Sequence, residues 1–152
     1  MRLWVAAVGR VKAGAARDLY HDYAGRLNWP ITLREVELKR PLPVDERRRQ
    51  EAQLLRAAVP AAALLVVLDE RGVGMTSADF AGRLGAWRDG GIADLAFLIG
   101  GADGVDQTLR SGADLVLCLG MMTWPHQLVR GMLAEQIYRA QQILTGHPYH
   151  RS

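Results

Sequence analysis

Four short segments made only of apolar residues constrain the fold of this chain more than any other feature. They cover residues 3–8, 64–68, 95–99 and 115–119, and each is followed at once by glycine or aspartate. Continuous apolar runs of about four to eight residues are typical of strands that are buried on both faces of a sheet. Because such a sheet must be covered on both sides, the intervening chain is expected to form helices.

Helical patterns occupy the stretches between these segments. Leu19, Tyr23 and Leu27 recur at four-residue spacing, which places them on one face of a helix within residues 14–27. The other helices are predicted over residues 45–58, 76–87 and 107–111 and from residue 126 onwards. Strands that alternate with helices predict an α/β domain with a mostly parallel sheet and helices on both faces. We expect a single domain over residues 1–152.

Local signals refine this prediction. Thr76 and Asp79 have the spacing of a capping box at the start of a helix, and Gly90 follows the end of that helix. A fifth strand is expected over residues 30–38, where apolar residues alternate with polar ones. The alternation slips by one position at Arg34–Glu35, which predicts a β-bulge there.

Charge and cysteine content limit the environment of the protein. The net charge of +3 permits an anionic partner such as RNA without requiring one. Cys118 is the only cysteine and has no partner for an internal disulfide, which fits a reducing compartment; within a predicted strand it is interpreted as a core residue. The longest apolar run, residues 57–68, is shorter than the ~20 residues of a membrane span. With no signal-peptide pattern, we expect a cytoplasmic protein that does not enter a membrane.

Three segments that follow predicted strands carry the candidate binding residues, since ligands of open parallel sheets bind outside the carboxyl ends of the strands. They are residues 68–72, expected to close a strand as a turn, and residues 99–104 and 119–125. The glycines at 100, 101 and 104 allow backbone amides to approach a ligand closely, but they suit a plain tight turn equally well. Residues 119–124 offer backbone groups beside an apolar wall, a surface that suits an adenine ring.

The sequence argues against several other kinds of site. A G-G-x-x-G pattern after a late strand differs from the dinucleotide-binding fingerprint, which disfavours a Rossmann dehydrogenase. The chain has no P-loop, no cysteine pair for zinc and no nucleophile elbow. His126, His147 and His150 are too scattered to predict a metal site, so we expect no metal.

Five segments together resemble one family. The chain reads LDERG at 68–72, IGGADG at 99–104, MTWPHQLVR at 122–130, LAEQIYRA at 133–140 and GHPYHR at 146–151. These segments are similar to the RlmH family, which consists of small SPOUT-class methyltransferases of bacterial large-subunit ribosomal RNA. The match runs through nearly the whole chain and is most specific in the C-terminal half.

This resemblance implies a fold, a cofactor and a substrate. The implied fold is a SPOUT-type α/β domain with a C-terminal trefoil knot, assembled as a homodimer. S-adenosyl-L-methionine is the implied methyl donor. The implied acceptor is N3 of a pseudouridine in a hairpin of 23S rRNA, methylated on the assembled ribosome.

The resemblance also implies which residues hold the cofactor. They follow three strands: Leu68, Gly100, Leu119, Gly120, Met121, Met122, Thr123 and Trp124. Serine and lysine are common in the family where this chain has Gly120 and Met121. If the backbone rather than the side chains binds the cofactor, both departures are tolerated.

The C-terminal tail carries the candidate catalytic residues. Methylation requires loss of the N3 proton, which a base or a stabiliser of the anionic ring assists. His150 is suited to accept a proton, Arg151 to stabilise negative charge or hold a phosphate, and Tyr149 to stack on a base. Chain ends fray unless something holds them, so this cluster of side chains indicates a site. The resemblance implies that the tail completes the pocket, in its own subunit or across the dimer.

Several roles stay open at this point. His126 is interpreted first as an anchor for the start of the long helix and second as a catalytic residue. Arg130 and Arg139 are expected to guide RNA or to pair with Glu135. The charged run 46–49 is expected to be a solvated helix face rather than an RNA contact. Two alternative functions are a SPOUT methyltransferase of tRNA and an inactive ribosome-binding relative.

Overall fold

Strands and helices alternate along the chain in the computed structural model, which describes residues 1–149. The elements are β1 (Arg2–Val8), α1 (Ala15–Ala24), β2 (Ile31–Val36), α2 (Val44–Ala57), β3 (Leu64–Gly74), α3 (Ser77–Asp89), β4 (Asp94–Ile99), α4 (Gln107–Ser111), β5 (Leu115–Cys118) and α5 (His126–Thr145). The predicted helices and strands are all present, with ends that differ by a few residues. None of the helices in this part of the chain is long and apolar enough to cross a bilayer.

All strand pairs of the sheet are parallel, and the strand order is β2-β1-β4-β3-β5. Side chains alternate between the two faces of each strand, so one apolar run supplies two cores. Leu3, Val5 and Phe97 pack on the face covered by α1, α3 and α5. Ala6 and Leu98 pack on the face covered by α2 and α4. The predicted α/β class with helices on both faces is confirmed; the trefoil knot stays a prediction.

The bulge predicted at Arg34–Glu35 is wrong. The register of β2 against β1 runs without a break from Leu3 opposite Ile31 to Val8 opposite Val36. The alternation slips because Glu35 takes a position on the α5 side of the strand, where an apolar residue would be expected. Arg130 of α5 binds its carboxylate there.

The prediction that residues 68–72 close a strand as a turn is also wrong. β3 continues to Gly74 after a register shift between Leu68 and Val73, and Val73 pairs again with Leu117 of β5. Residues 69–72 therefore leave the ladder and return to it. This excursion carries three charged side chains, Asp69, Glu70 and Arg71, to the carboxyl edge of the sheet.

The helix ends agree with their sequence signals. The Thr76 hydroxyl accepts a hydrogen bond from the Asp79 amide at 3.1 Å, which is one half of the predicted capping box, and Gly90 caps the other end of α3. α5 ends at Gly146, whose φ of +72° is the left-handed conformation common at helix C-termini. Its first residue, His126, lies at the carboxyl edge of the sheet.

Candidate functional site

A cavity of about 740 Å³ lies at the carboxyl ends of β3, β4 and β5 and against the start of α5. The three segments predicted from the strand ends all border it. Of the predicted cofactor residues, those that line it are Leu68, Gly100, Leu119, Gly120, Met122, Thr123 and Trp124. Met121 does not line it, and its side chain is fully exposed.

The lining of the cavity is mostly apolar, and its charged residues are here called the cavity mouth. Ile99, Leu117 and Val129 contribute to the walls, beside the apolar loop 119–124. The charged lining residues are Arg48, Asp69, Glu70, Arg71 and Asp103. Ligand sites usually combine a mostly apolar lining with a few polar groups that fix orientation. This cavity has the same construction.

The glycine spacing left open whether residues 100–104 serve a ligand or form a plain tight turn, and the structure answers this for Gly100. A Cβ on Gly100 would lie 2.8 Å from the carbonyl oxygen of Gly104, so only glycine allows this approach. The Gly104 amide donates to the Gly101 carbonyl at 3.1 Å and closes the turn. Gly100 is therefore required by the turn itself, which then forms one side of the cavity.

The loop between β5 and α5 has a backbone that favours glycine at one position. Gly120 has a φ of +132°, which residues with a side chain rarely adopt. The thiol of Cys118 donates to the Gly120 carbonyl at 2.9 Å. Cys118 is half-buried and lines the cavity, so its interpretation as a core residue is wrong.

His126 both starts α5 and lines the cavity. Partial burial, and to a lesser degree the charge of Arg130, lower the pKa of His126 below its ordinary value. The imidazole is therefore neutral at pH 7. A neutral imidazole beside the cavity is able to accept a proton or a hydrogen bond.

Arg130, one turn further along α5, has a role that the sequence does not reveal. Its side chain is only 2% exposed. It donates to the carboxylate of Glu35 at 2.6 Å and to the carbonyls of Val8 and Gly9 at 3.1 and 2.6 Å. Both expectations for Arg130, RNA guidance and pairing with Glu135, are wrong. Arg130 ties the start of α5 to the ends of β1 and β2. The only sequence signal for this role is Glu35, a charged residue at a strand position where an apolar residue is expected.

Tyr149 packs on the middle of α5 and belongs to what we call the tyrosine cluster. Its members are Tyr23, Glu135, Tyr138, Arg139 and Tyr149. The Tyr149 hydroxyl lies 3.1 Å from the Glu135 carboxylate and 3.5 Å from the Tyr23 hydroxyl oxygen. Its ring meets Tyr138 edge-on at 4.8 Å between centroids. Arg139 pairs with Glu135 at 2.6 Å, one of the two roles expected for it.

The tyrosine cluster is separate from the cavity. An α-helix rises by about 1.5 Å per residue, so Glu135 lies roughly 13 Å from His126 along α5. Tyr149 does not line the cavity. Burial, followed by the Tyr23 hydroxyl and the charge of Glu135, raises the pKa of Tyr149. The phenol is thus neutral at pH 7. The other two tail candidates, His150 and Arg151, lie outside the described residues.

Comparison with known proteins identifies the family. The family model described as "Predicted SPOUT methyltransferase" matches residues 1–150. The chain belongs to this family. It is 63% identical over 152 residues to the ribosomal RNA large subunit methyltransferase H of Rhodospirillum centenum, with both chains covered completely. It is 56% identical to the protein of the same name from Paramagnetospirillum magneticum, covering 99% of each chain.

A solved structure agrees with the fold of this SPOUT methyltransferase. The SpoU methyltransferase AviRb from Streptomyces viridochromogenes superposes with a TM-score of 0.52 at 14% identity. The match covers 96% of this chain and 61% of AviRb. At this identity the likeness supports the fold alone. Together with the family match, it confirms the predicted SPOUT class and the predicted methyltransferase.

The charged run 46–49 of α2, expected to be a solvated helix face, is only partly exposed. Arg47 donates to the Asp103 carboxylate at 3.0 Å and to the Leu42 carbonyl at 3.1 Å, so it ties the turn 100–104 to α2. Arg48 lines the cavity, whereas Arg49 is exposed. Within residues 1–149, no group of histidine, cysteine or acidic side chains is arranged to hold a metal ion.

Proposed function

We propose that this protein transfers a methyl group from S-adenosyl-L-methionine to N3 of a pseudouridine in 23S rRNA of the assembled ribosome. The observation that carries the proposal is the cavity, which the segments 68–71, 99–105 and 117–126 build together. The first of these segments, all but the last residue of the second, and the part of the third from Met122 onwards lie within the segments in which the chain resembles its family. The names of the full-length relatives, which specify ribosomal RNA of the large subunit, support the choice of substrate.

The cavity fits the proposed cofactor. Its volume of about 740 Å³ falls within the range of roughly 300–1,000 Å³ that is usual for small-molecule sites. Leu68, Leu119 and Trp124 would flank the adenine ring, and backbone amides and carbonyls of residues 119–124 would bind its polar edge. Gly100 would lie beside the ribose, and Gly120, Met121, Met122 and Thr123 contribute through their backbone. Bound S-adenosylmethionine supplies a methyl group that its sulfonium already activates, so no metal is needed for this step.

A homodimer would bring the two parts of the site together. Tyr149 belongs to the tyrosine cluster and lies away from the cavity of its own subunit. A two-fold axis repeats both surfaces, so the tail of one subunit can complete the cavity of its partner. Met121, Met122 and Trp124 are exposed apolar side chains next to the cavity, and an apolar patch of this kind is typical of a contact surface.

The chain offers two proton acceptors and two stabilising groups for the acceptor base. His126 is neutral at pH 7 and lines the cavity; His150 of the tail is the second candidate to take the N3 proton. Arg151 would stabilise negative charge on the ring. Because the pKa of Tyr149 is raised, its phenol would stack on a base or donate a hydrogen bond rather than act as a base.

The substrate would be recognised mainly by shape. Charge supplies affinity without specificity, so the mildly basic domain proposed for residues 1–152 would rely on the shape of the folded RNA. A dimer doubles the basic surface and is suited to a groove of the folded ribosome in the cytoplasm. This reasoning favours intact ribosomes over free RNA.

Methyl transfer from labelled S-adenosylmethionine to ribosomes that lack the modification tests the proposal. Free 23S rRNA and tRNA are assayed alongside, and the digested products are identified as nucleosides by mass spectrometry. We expect N3-methylpseudouridine from ribosomes alone. Label in tRNA would favour a tRNA methyltransferase. No label in any RNA together with loss of cofactor binding would favour an inactive ribosome-binding relative. No label despite normal cofactor binding would mean that the RNA substrate or a partner is missing from the assay.

A further inference from the structure

The arginines on and next to the cavity mouth differ in how tightly they are paired with carboxylates. Arg47 is engaged by Asp103 at 3.0 Å. Arg110 lies 3.9 Å from Asp69 and donates to the Val105 carbonyl at 2.8 Å. These two arginines neutralise two of the carboxylates at the mouth and stabilise its walls. Neither is among the residues that line the cavity.

Arg48 and Arg71 line the cavity and have spare hydrogen-bonding capacity. The only ion pair of Arg48 within residues 1–149 is a 3.7 Å contact with Asp45, whose side chain is 83% exposed. The Nε of Arg48 is buried without a hydrogen-bond partner, but the side chain as a whole is 35% exposed. Arg71 is exposed and forms no ion pair with the described residues. Both guanidinium groups are therefore available to a ligand at the mouth.

We infer that Arg48 and Arg71 bind backbone phosphates of the RNA on either side of the nucleotide that enters the cavity. The inference rests on the proposed function, since it requires RNA as the methyl acceptor. A guanidinium presents paired donors that match the oxygens of a phosphate, and RNA carries one negative charge per nucleotide. The proposed cofactor carries a net positive charge, so arginines at the mouth that lack a tight carboxylate partner suit the RNA better than they suit the cofactor.

Two further cations lie in the segment that precedes α2. Lys39 and Arg40 are exposed in the segment between β2 and α2 and form no ion pair within the described part of the chain. Arg47 holds this segment against α2 through the Leu42 carbonyl. These two cations add to the positive charge available to an RNA bound near α2.

Glu70 allows a second test, in which removal of a negative charge should change RNA binding in the opposite direction. It lines the same cavity mouth and forms no ion pair with residues 1–149. A phosphate held by the neighbouring Arg71 would be repelled by this carboxylate. Removing the charge of Glu70 should then strengthen RNA binding, whereas removing the charge of Arg48 or Arg71 should weaken it.

The salt dependence of ribosome binding distinguishes phosphate contacts from structural effects. The dissociation constant for ribosomes lacking the modification is measured at several salt concentrations for wild type, Arg48→Gln, Arg71→Gln and Glu70→Gln. The matched control is Arg83→Gln, an exposed arginine of α3 on the opposite face of the sheet. Affinity for S-adenosylmethionine and methyl transfer to ribosomes are measured on the same proteins.

We expect each arginine variant to weaken ribosome binding about tenfold and to lower the slope of log affinity against log salt by about one. Glu70→Gln should bind more tightly by about twofold, as expected for loss of one exposed like charge. Arg83→Gln should behave as wild type. All variants should bind S-adenosylmethionine within about twofold of wild type, since these side chains are assigned to the RNA.

Two results would overturn the inference while the proposed function stands. One is an unchanged salt slope in both arginine variants with normal methyl transfer to ribosomes. The other is weaker cofactor binding with unchanged ribosome binding, which would assign the arginines to the cofactor carboxylate. If the wild-type protein neither binds nor methylates ribosomes, both the function and the inference are wrong.

Discussion

Two arginines on α5, nine residues apart in the sequence, have different structural roles. Arg130 and Arg139 each contact a carboxylate at 2.6 Å, but the Arg130 side chain is 2% exposed and that of Arg139 is 26% exposed. The partner of Arg130 is Glu35, on a different element, and Arg130 also donates to the carbonyls of Val8 and Gly9. The partner of Arg139 is Glu135, one turn earlier on the same helix. Arg130 fixes the end of α5 that forms the cavity, whereas Arg139 helps to hold Tyr149.

This difference shows that burial decides how much the loss of an ion pair changes the free energy of unfolding. Breaking a buried pair by removing one partner costs about 3–5 kcal/mol, because a charge is left buried without compensation. An exposed pair one turn apart on a helix contributes only about 0.3–0.5 kcal/mol. The same residue type on one helix is therefore essential to stability at one end and nearly dispensable to it at the other.

The largest effect on stability is expected from Arg130→Met. The variant leaves Glu35 and two backbone carbonyls without their donor, so the free energy of unfolding should fall by about 3–5 kcal/mol. Equilibrium denaturation followed by circular dichroism measures the loss. Arg130→Lys, which keeps the charge but not the paired donors, should lose less. A decrease below about 1 kcal/mol for Arg130→Met would place this arginine with the exposed pairs.

A large loss of cofactor binding is expected from Gly120→Pro. Proline fixes φ near −65° and removes the amide, whereas Gly120 has a φ of +132°. Isothermal titration calorimetry with S-adenosylmethionine should show binding weakened by at least about tenfold, the loss of one good hydrogen bond to a charged or preorganised group. Met121→Ala is the matched control: its side chain is fully exposed, so its affinity should stay at the wild-type value. Normal binding by Gly120→Pro would argue against a cofactor held by the backbone of this loop.

A pH dependence is expected from Glu35. Burial raises the pKa of Glu35, but the Val11 amide and Arg130 outweigh this effect, so the pKa lies below its ordinary value. A carboxyl whose pKa is lower in the folded state stabilises the fold above its unfolded pKa of about 4.3, and this contribution is lost as the pH falls through the folded value. The stability difference between wild type and Glu35→Gln should be largest at pH 6–7 and shrink below about pH 4. A difference that stays constant from pH 7 to pH 3 would contradict the assignment.

The smallest effect on stability is expected from Arg139→Gln. Loss of its partly buried pair with Glu135, one turn away on the same helix, should change the free energy of unfolding by about 0.5 kcal/mol. Methyl transfer should nevertheless fall, because Glu135 and Arg139 hold Tyr149, which is proposed to complete the site. Denaturation and single-turnover transfer are measured on the same preparation. Unchanged transfer would show that the tyrosine cluster is not part of the site.

The sequence predicts what depends on local patterns. The four apolar runs identify the buried strands because side-chain alternation needs no knowledge of the partner strand. The rule for parallel sheets then places residues 68–72, 99–104 and 119–125 at one edge, and the cavity lies there.

Contacts between residues that are far apart in the sequence account for the wrong predictions about Arg130 and β3. The bond from Arg130 to the Val8 carbonyl spans 122 positions, and its bond to Glu35 spans 95. No local pattern reports such a partner, so a buried arginine is taken for an RNA contact. The return of β3 to the ladder at Val73 depends in the same way on pairing with Leu117.

The division of the site between two subunits is the central claim, and a mixed dimer tests it most directly. One subunit carries Gly120→Pro, and the other carries alanine at Tyr149, His150 and Arg151. The two are co-expressed with different tags, purified through both tags and assayed for methyl transfer to ribosomes; each homodimer should be inactive. If the tail completes the partner's cavity, one of the two sites in each mixed dimer is intact, and about half of wild-type activity returns. A mixed dimer as inactive as its parents would show that the tail serves its own subunit and would contradict the account.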